Sequence, residues 1–117
     1  MTEEALDLES AWRLAGTDGE GQDQVLTINR DELTSAYPGI TIGRHPELAD
    51  RAIDEPSLSR RHFRLSRSAE GVTLEDLSSL NGTLLDGVAL VPYAPVRLED
   101  GQTITAGRLT LKVSRVA

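Results

Sequence analysis

Turn signals recur so closely along this chain that a long helix has no room between them. Asp18-Gly19, Pro38-Gly39, Glu70-Gly71, Asn81-Gly82, Asp86-Gly87, Asp100-Gly101 and Gly107 divide it into short pieces, and such Gly- and Pro-containing pairs are the strongest local punctuation a sequence carries. The pieces are compact apolar runs or period-two alternations at residues 11–15, 25–28, 40–42, 62–65, 72–77, 83–85, 96–98, 103–106 and 109–113. Each reads as a strand. The clearest is the last, where Leu109, Leu111 and Val113 alternate with Thr110 and Lys112 and so share one buried face. No apolar stripe at helical spacing is present, although residues 29–38 leave room for one helical turn at 31–36. The fold class is therefore all-β, an antiparallel sandwich or barrel.

A chain of 117 residues makes one domain of this kind. It has no cysteine and two histidines, which removes disulfides, thiol nucleophiles and thiolate metal sites, and two histidines cannot build an ordinary zinc centre without help from carboxylates. No metal and no cofactor are expected. The longest apolar runs, such as Val88-Ala89-Leu90-Val91, fall far short of the ~20 residues that cross a bilayer. The first residues are acidic where a secretory or transit peptide would be basic. The expectation is a cytoplasmic protein without a membrane partner.

The net charge of -7 is concentrated at the start of the chain. Residues 1–32 hold nine acids and two bases, and residues 33–117 hold ten of each. Residues 1–10 read as an acidic, flexible arm and 11–117 as the folded domain. Within the neutral remainder, Arg60, Arg61, Arg64 and Arg67 follow one another with no acid between them, after Arg44 and Arg51. Such a run attracts one small anion. A nucleic acid fits poorly, because the chain lacks a broad positive surface and has four aromatic residues to serve as stacking platforms.

Three motifs carry the functional signal. The first is Ile40-Thr41-Ile42-Gly43-Arg44, a strand ending in Gly-Arg. The second is Pro56-Ser57-Leu58-Ser59-Arg60-Arg61-His62-Phe63, a Ser-rich turn meeting an Arg pair and entering a strand through His62. The third is Asp76-Leu77-Ser78-Ser79-Leu80-Asn81-Gly82-Thr83. Taken singly, Arg44 is a solvated strand-end charge and Asn81-Gly82 a plain type I′ hairpin turn. Ser59, His62 and Asp76 could nominally serve as nucleophile, base and orienter, but no Gly-x-Ser-x-Gly elbow accompanies them. His62 reads better as a histidine bracing a loop, and the chain is not expected to be an enzyme.

In this order and spacing, Gly-Arg, Ser-x-x-His and Asn-Gly-Thr resemble the forkhead-associated (FHA) domain, a phosphothreonine-reading module, over residues 11–116. The resemblance implies an FHA-type antiparallel β-sandwich of about eleven strands whose loops at one end form the binding site. It further implies that Arg44 and Ser59 contact the phosphate, that Arg60 touches the phosphopeptide and that Asn81 hydrogen-bonds its main chain. Gly43, His62 and Gly82 match scaffold positions. The implied partner is a Thr-phosphorylated protein or peptide, with a Ser/Thr kinase upstream and a signalling-adaptor role. The resemblance also implies a preference for phosphothreonine over phosphoserine, because the family reads the threonine methyl group.

The chemistry suits that assignment. A phosphothreonine offers three acceptor oxygens and about -1.5 to -2 charges, which a guanidinium fork and a short hydroxyl can meet. The Asn81 amide has both a donor and an acceptor for an extended backbone. Leu80 departs from the pattern, since many family members place Thr or Ser there, and Ser79, Arg60 or Arg61 would have to make up the lost donor. A second reading of the same fold is a constitutive assembly surface that binds an unphosphorylated partner. Thr2, beside Glu3 and Glu4, is a candidate phosphorylation site whose phosphate could fold back onto Arg44 and Ser59. Thr17 is expected to be held away from those loops by the first hairpin.

Overall fold

The computed structural model describes residues 11–69 and 71–116, so the acidic arm and Thr2 lie outside the described residues. Eleven strands and one short helix follow in order: β1 (Ala11–Thr17), β2 (Asp23–Asn29), α1 (Arg30–Ser35), β3 (Ile40–Gly43), β4 (Arg51–Ala52), β5 (Phe63–Ser68), β6 (Gly71–Asp76), β7 (Thr83–Leu85), β8 (Val88–Ala89), β9 (Val96–Arg97), β10 (Thr103–Ala106) and β11 (Leu109–Val116). They form two sheets, ordered β2-β1-β11-β10-β7-β8 and β4-β3-β5-β6-β9. All pairings are antiparallel except β3 with β4, which run parallel with Gly43 opposite Ala52.

The inward faces of the two sheets make the core. In β11, Leu109, Leu111 and Val113 are fully buried while Thr110 and Lys112 face solvent, as the alternation requires. They pack with Leu14, Ile28, Ile42, Phe63, Leu65, Leu74 and Ile104, all at 0% exposure. The predicted helical turn is α1, capped by Asn29, whose Oδ1 accepts the Glu32 N–H at 2.8 Å and satisfies one of the free donors of the first turn.

Two turn readings are corrected. Asn81-Gly82 is not the hairpin turn: residue 81 sits in the β6–β7 loop, and the hairpin pairing Leu85 with Val88 turns at Asp86-Gly87. Asp86 (φ 49°) and Gly87 (φ 80°) both adopt the positive φ that a type I′ turn requires. The turn between β1 and β2 also lies at the loop end of the sandwich, because Gly19 donates its N–H to Glu55 at 2.7 Å. Thr17 is therefore on the same end as the β4–β5 loop, not away from it. The chain enters β1 at the opposite end, where Ala11 pairs with Asn29 and Val116.

Candidate functional site

Arg44 follows β3 and is held where strand pairing with the β4–β5 loop continues irregularly. Its N–H donates to the Ser59 carbonyl at 2.9 Å, the His45 N–H donates to the Arg60 carbonyl at 3.2 Å, and the His62 N–H donates to the Ile42 carbonyl at 2.9 Å. Gly43 makes this approach possible. A Cβ at that residue would lie 2.2 Å from the Arg60 carbonyl oxygen and 2.8 Å from Arg61 Cα, so only glycine lets the two backbones meet. The Arg44 side chain is exposed, yet its Nε donates to the Leu58 carbonyl at 3.1 Å. That bond holds the guanidinium while leaving its two terminal nitrogens without a hydrogen-bond partner among the described residues.

His62 is fully buried and joins two loops. Its Nδ1 accepts the Ser59 N–H at 3.0 Å and its Nε2 lies 2.8 Å from the Gly82 carbonyl oxygen. A neutral ring protonated on Nε2 serves both contacts. Burial pushes the His62 pKa below its ordinary value, against the opposing pull of the Gly82 carbonyl and the nearby Asp76 carboxylate. Gly82 supplies this carbonyl at φ 77°, a left-handed conformation that favours glycine.

The β6–β7 loop is shaped by Asp76, which is 1% exposed. Its carboxylate accepts from the Ser79 N–H and hydroxyl and from the Thr83 hydroxyl. The loop is tied across to the β4–β5 loop by two bonds. Leu80 N–H donates to Ser59 Oγ at 2.9 Å, and Asn81 Nδ2 donates to the Ser57 carbonyl at 2.8 Å. Ser59 Oγ keeps its own proton to donate, and Asn81 keeps Oδ1 and a second N–H. Arg60 and Arg61 are exposed, and no carboxylate pairs with either guanidinium among the described residues.

Beneath these residues lies a second polar centre at Glu55, 1% exposed. It accepts from the Gly19 N–H at 2.7 Å and from the Ser57 N–H at 2.7 Å and hydroxyl. Burial opposes its ionisation, but those donors together with the Arg108 guanidinium outweigh it and hold the carboxyl below its ordinary range. Ser57 Oγ in turn accepts the Arg108 N–H at 2.8 Å. Glu55 and Ser57 thus fasten the β1–β2 turn and the β10–β11 turn to the loop that holds Asn81.

A family model for the FHA domain matches residues 40–107, more than half of the chain. The chain belongs to the FHA domain family. Among curated proteins it is similar to an FHA domain-containing protein of Arabidopsis thaliana, At4g14490, with 39% identity over 75 residues that make up 62% of this chain and 19% of that protein. It is also similar to the oxoglutarate dehydrogenase inhibitor of Corynebacterium diphtheriae, with 34% identity over 63% of this chain and 49% of that protein. The chain therefore spans about a fifth to a half of these relatives. Among solved structures, the FHA domain of an Arabidopsis thaliana hypothetical protein aligns with a TM-score of 0.74 and 29% identity, covering 94% of this chain and 89% of that one. A structure from work on phosphothreonine-dependent FHA domain interactions aligns with a TM-score of 0.62 and 25% identity over 90% of this chain and 94% of that chain.

The FHA fold brings Gly43, Arg44, Ser59, His62, Asn81 and Gly82 to one end of the sandwich, joined by the bonds above, with Arg60 exposed beside them. One detail departs from the sequence reading and one agrees with it. Ser79 cannot stand in for a donor at Leu80, because its hydroxyl and N–H are both turned onto Asp76. Nor do Ser59, His62 and Asp76 form a nucleophile–base pair: both ring nitrogens contact backbone groups, and Ser59 Oγ faces the Leu80 N–H. The sequence reading missed Glu55 as a buried anchor. Its only local signal was the acid two residues before Ser57, a spacing that suits a turn in which the side chain takes the backbone N–H.

Proposed function

We propose that this FHA domain binds phosphothreonine-containing peptides and proteins through Arg44, Ser59, Arg60 and Asn81, and acts as a phosphorylation-dependent adaptor. The terminal nitrogens of Arg44 and the Ser59 hydroxyl donate to the phosphate oxygens, with Arg60 adding charge at the rim. Asn81 pairs with the peptide backbone beside the phosphorylated residue. The observation that carries this reading is the cross-linking of the three segments before any ligand arrives. Arg44 Nε is bonded to Leu58, Ser59 Oγ to Leu80 and Asn81 Nδ2 to Ser57, so little side-chain freedom remains to be lost on binding. A desolvated charge-assisted contact of this kind is shorter and stronger than a neutral one.

The partners are Thr-phosphorylated proteins, with a Ser/Thr kinase acting upstream. Membership of the FHA family and the likeness to a phosphothreonine-dependent relative support this choice over other anions. The test is a calorimetric titration with peptide libraries synthesised in phosphothreonine, phosphoserine and unphosphorylated forms. Binding of the phosphothreonine form alone or most tightly is expected. Equal binding of all three forms, or selection of an unphosphorylated sequence, would instead make the domain a constitutive assembly surface.

A further inference from the structure

At the end of the sandwich away from Arg44, a groove of about 560 Å³ opens between β1, α1, the β5–β6 turn and the segment after β9. Trp12 stands in its wall, and Arg30, Arg67, Arg97 and Arg115 line it against Glu99 and Asp100. The two acids are engaged: Glu99 lies 3.8 Å from Arg97, and Asp100 accepts the Arg115 N–H at 2.7 Å. Among the described residues, no carboxylate pairs with Arg30 or Arg67. A groove with this excess of cations stands out on a chain of net charge -7.

The chain itself supplies a matching anion. Residues 1–10 contain Glu3, Glu4, Asp7 and Glu9 and no Lys, Arg or His. They join the sandwich at Ala11, one residue before Trp12 and therefore at the rim of the groove. Ten residues span up to ~33 Å when extended, so the segment is long enough to enter the groove at whose rim it starts. We propose that this groove receives the acidic segment 3–9 of the same chain, with its carboxylates against Arg30 and Arg67. A short tether gives an effective concentration near millimolar, which lets individually weak surface ion pairs hold the segment. Because such pairs are screened, the contact weakens as salt rises. The segment is then retained at the end opposite Arg44 and Ser59, and the inference does not depend on what those residues bind.

The absence of cysteine allows one spin label to be placed cleanly in the full chain, at Ala5→Cys. At low salt, amide signals of Arg67, Ser68, Ala69 and Gly71 and of Leu98–Asp100 are expected to be lost, and those of Gly43, Ser59 and Asn81 to persist. The lost signals should return in 1 M salt, where the Debye length is about 3 Å, and in the Arg30→Gln/Arg67→Gln variant. Trp12 is the sole tryptophan, so its acrylamide quenching should rise when Glu3, Glu4, Asp7 and Glu9 are all replaced by amides. A broadening profile indifferent to salt and to the arginine substitutions would overturn the proposal, as would unchanged Trp12 quenching. A profile centred on Arg44, Ser59 and Asn81 would overturn it too, and would place the segment at the loop end.

Discussion

Replacing His62 tests the cross-bracing of the loops most severely. The ring is fully buried and takes the Ser59 N–H at 3.0 Å while lying 2.8 Å from the Gly82 carbonyl. His62→Ala leaves both backbone groups without partners, at about 1 to 3 kcal/mol each when water does not reach them. A loss of about 2 to 5 kcal/mol is expected, a large share of the 5 to 15 kcal/mol typical of a domain. Protonation is a gentler form of the same perturbation, because it sets an Nδ1–H against the Ser59 N–H. The folded-state pKa is held below the ordinary value of 6.5, foremost by burial. As pH falls below 6.5, the unfolded chain takes up a proton that the folded one refuses, so stability declines until pH passes the folded-state pKa. The slope from this group cannot exceed about 1.4 kcal/mol per pH unit. Urea denaturation at intervals from pH 7.5 to 5 should show this decline in the native chain and a flatter profile in His62→Gln, which cannot titrate. An identical slope in both proteins would refute the bracing role.

Other perturbations probe the surrounding frame. Gly43→Ala drives a Cβ to 2.2 Å from the Arg60 carbonyl, so a destabilisation of about 1 to 3 kcal/mol from overpacking is expected in denaturant titrations, with displaced Arg44 and Ser59 amide shifts. Glu55→Gln keeps the shape but removes the charge that accepts from Gly19 and Ser57. Since the Glu55 pKa is depressed, its stabilising share is present above the ordinary carboxylate pKa and is lost as pH falls through the folded-state value, so the variant should unfold less steeply with acid. Leu80→Thr restores a hydroxyl beside Asn81; one hydrogen bond to a charged group contributes about 1.5 to 3 kcal/mol, so phosphopeptide affinity should rise at least several-fold by calorimetry.

Much of the sandwich was legible because its strands carry their own pattern. Leu109, Leu111 and Val113 alternate with polar residues, and the burial follows that alternation. The strands that escaped notice are β4, Arg51–Ala52, and β8, Val88–Ala89, each two residues long and defined by its neighbours rather than by periodicity. That the three motifs meet at one end of the sandwich was legible from their order, but the residues that support them there were not. Glu55 reads as one more surface acid, and its burial depends on Gly19, 36 residues away. The Arg108 N–H that fixes Ser57 comes from 51 residues away. Taken alone, Asn81-Gly82 reads as a hairpin turn, but Asp86-Gly87, equally suited by sequence, closes the β7–β8 hairpin, while Gly82 aims its carbonyl at His62.

The proposal that Arg44 contacts the phosphate is tested most directly by titrating one phosphothreonine peptide, selected from the library, into the native domain and into Arg44→Ala. Arg44 is exposed and, among the described residues, its side chain is bonded only through Nε to Leu58, so the variant should keep the far-UV spectrum of the sandwich and its denaturation midpoint. Binding should weaken by about 2 to 5 kcal/mol, the usual cost of truncating one member of a desolvated charged pair. Affinity undiminished in a folded Arg44→Ala protein would contradict phosphate recognition at this site.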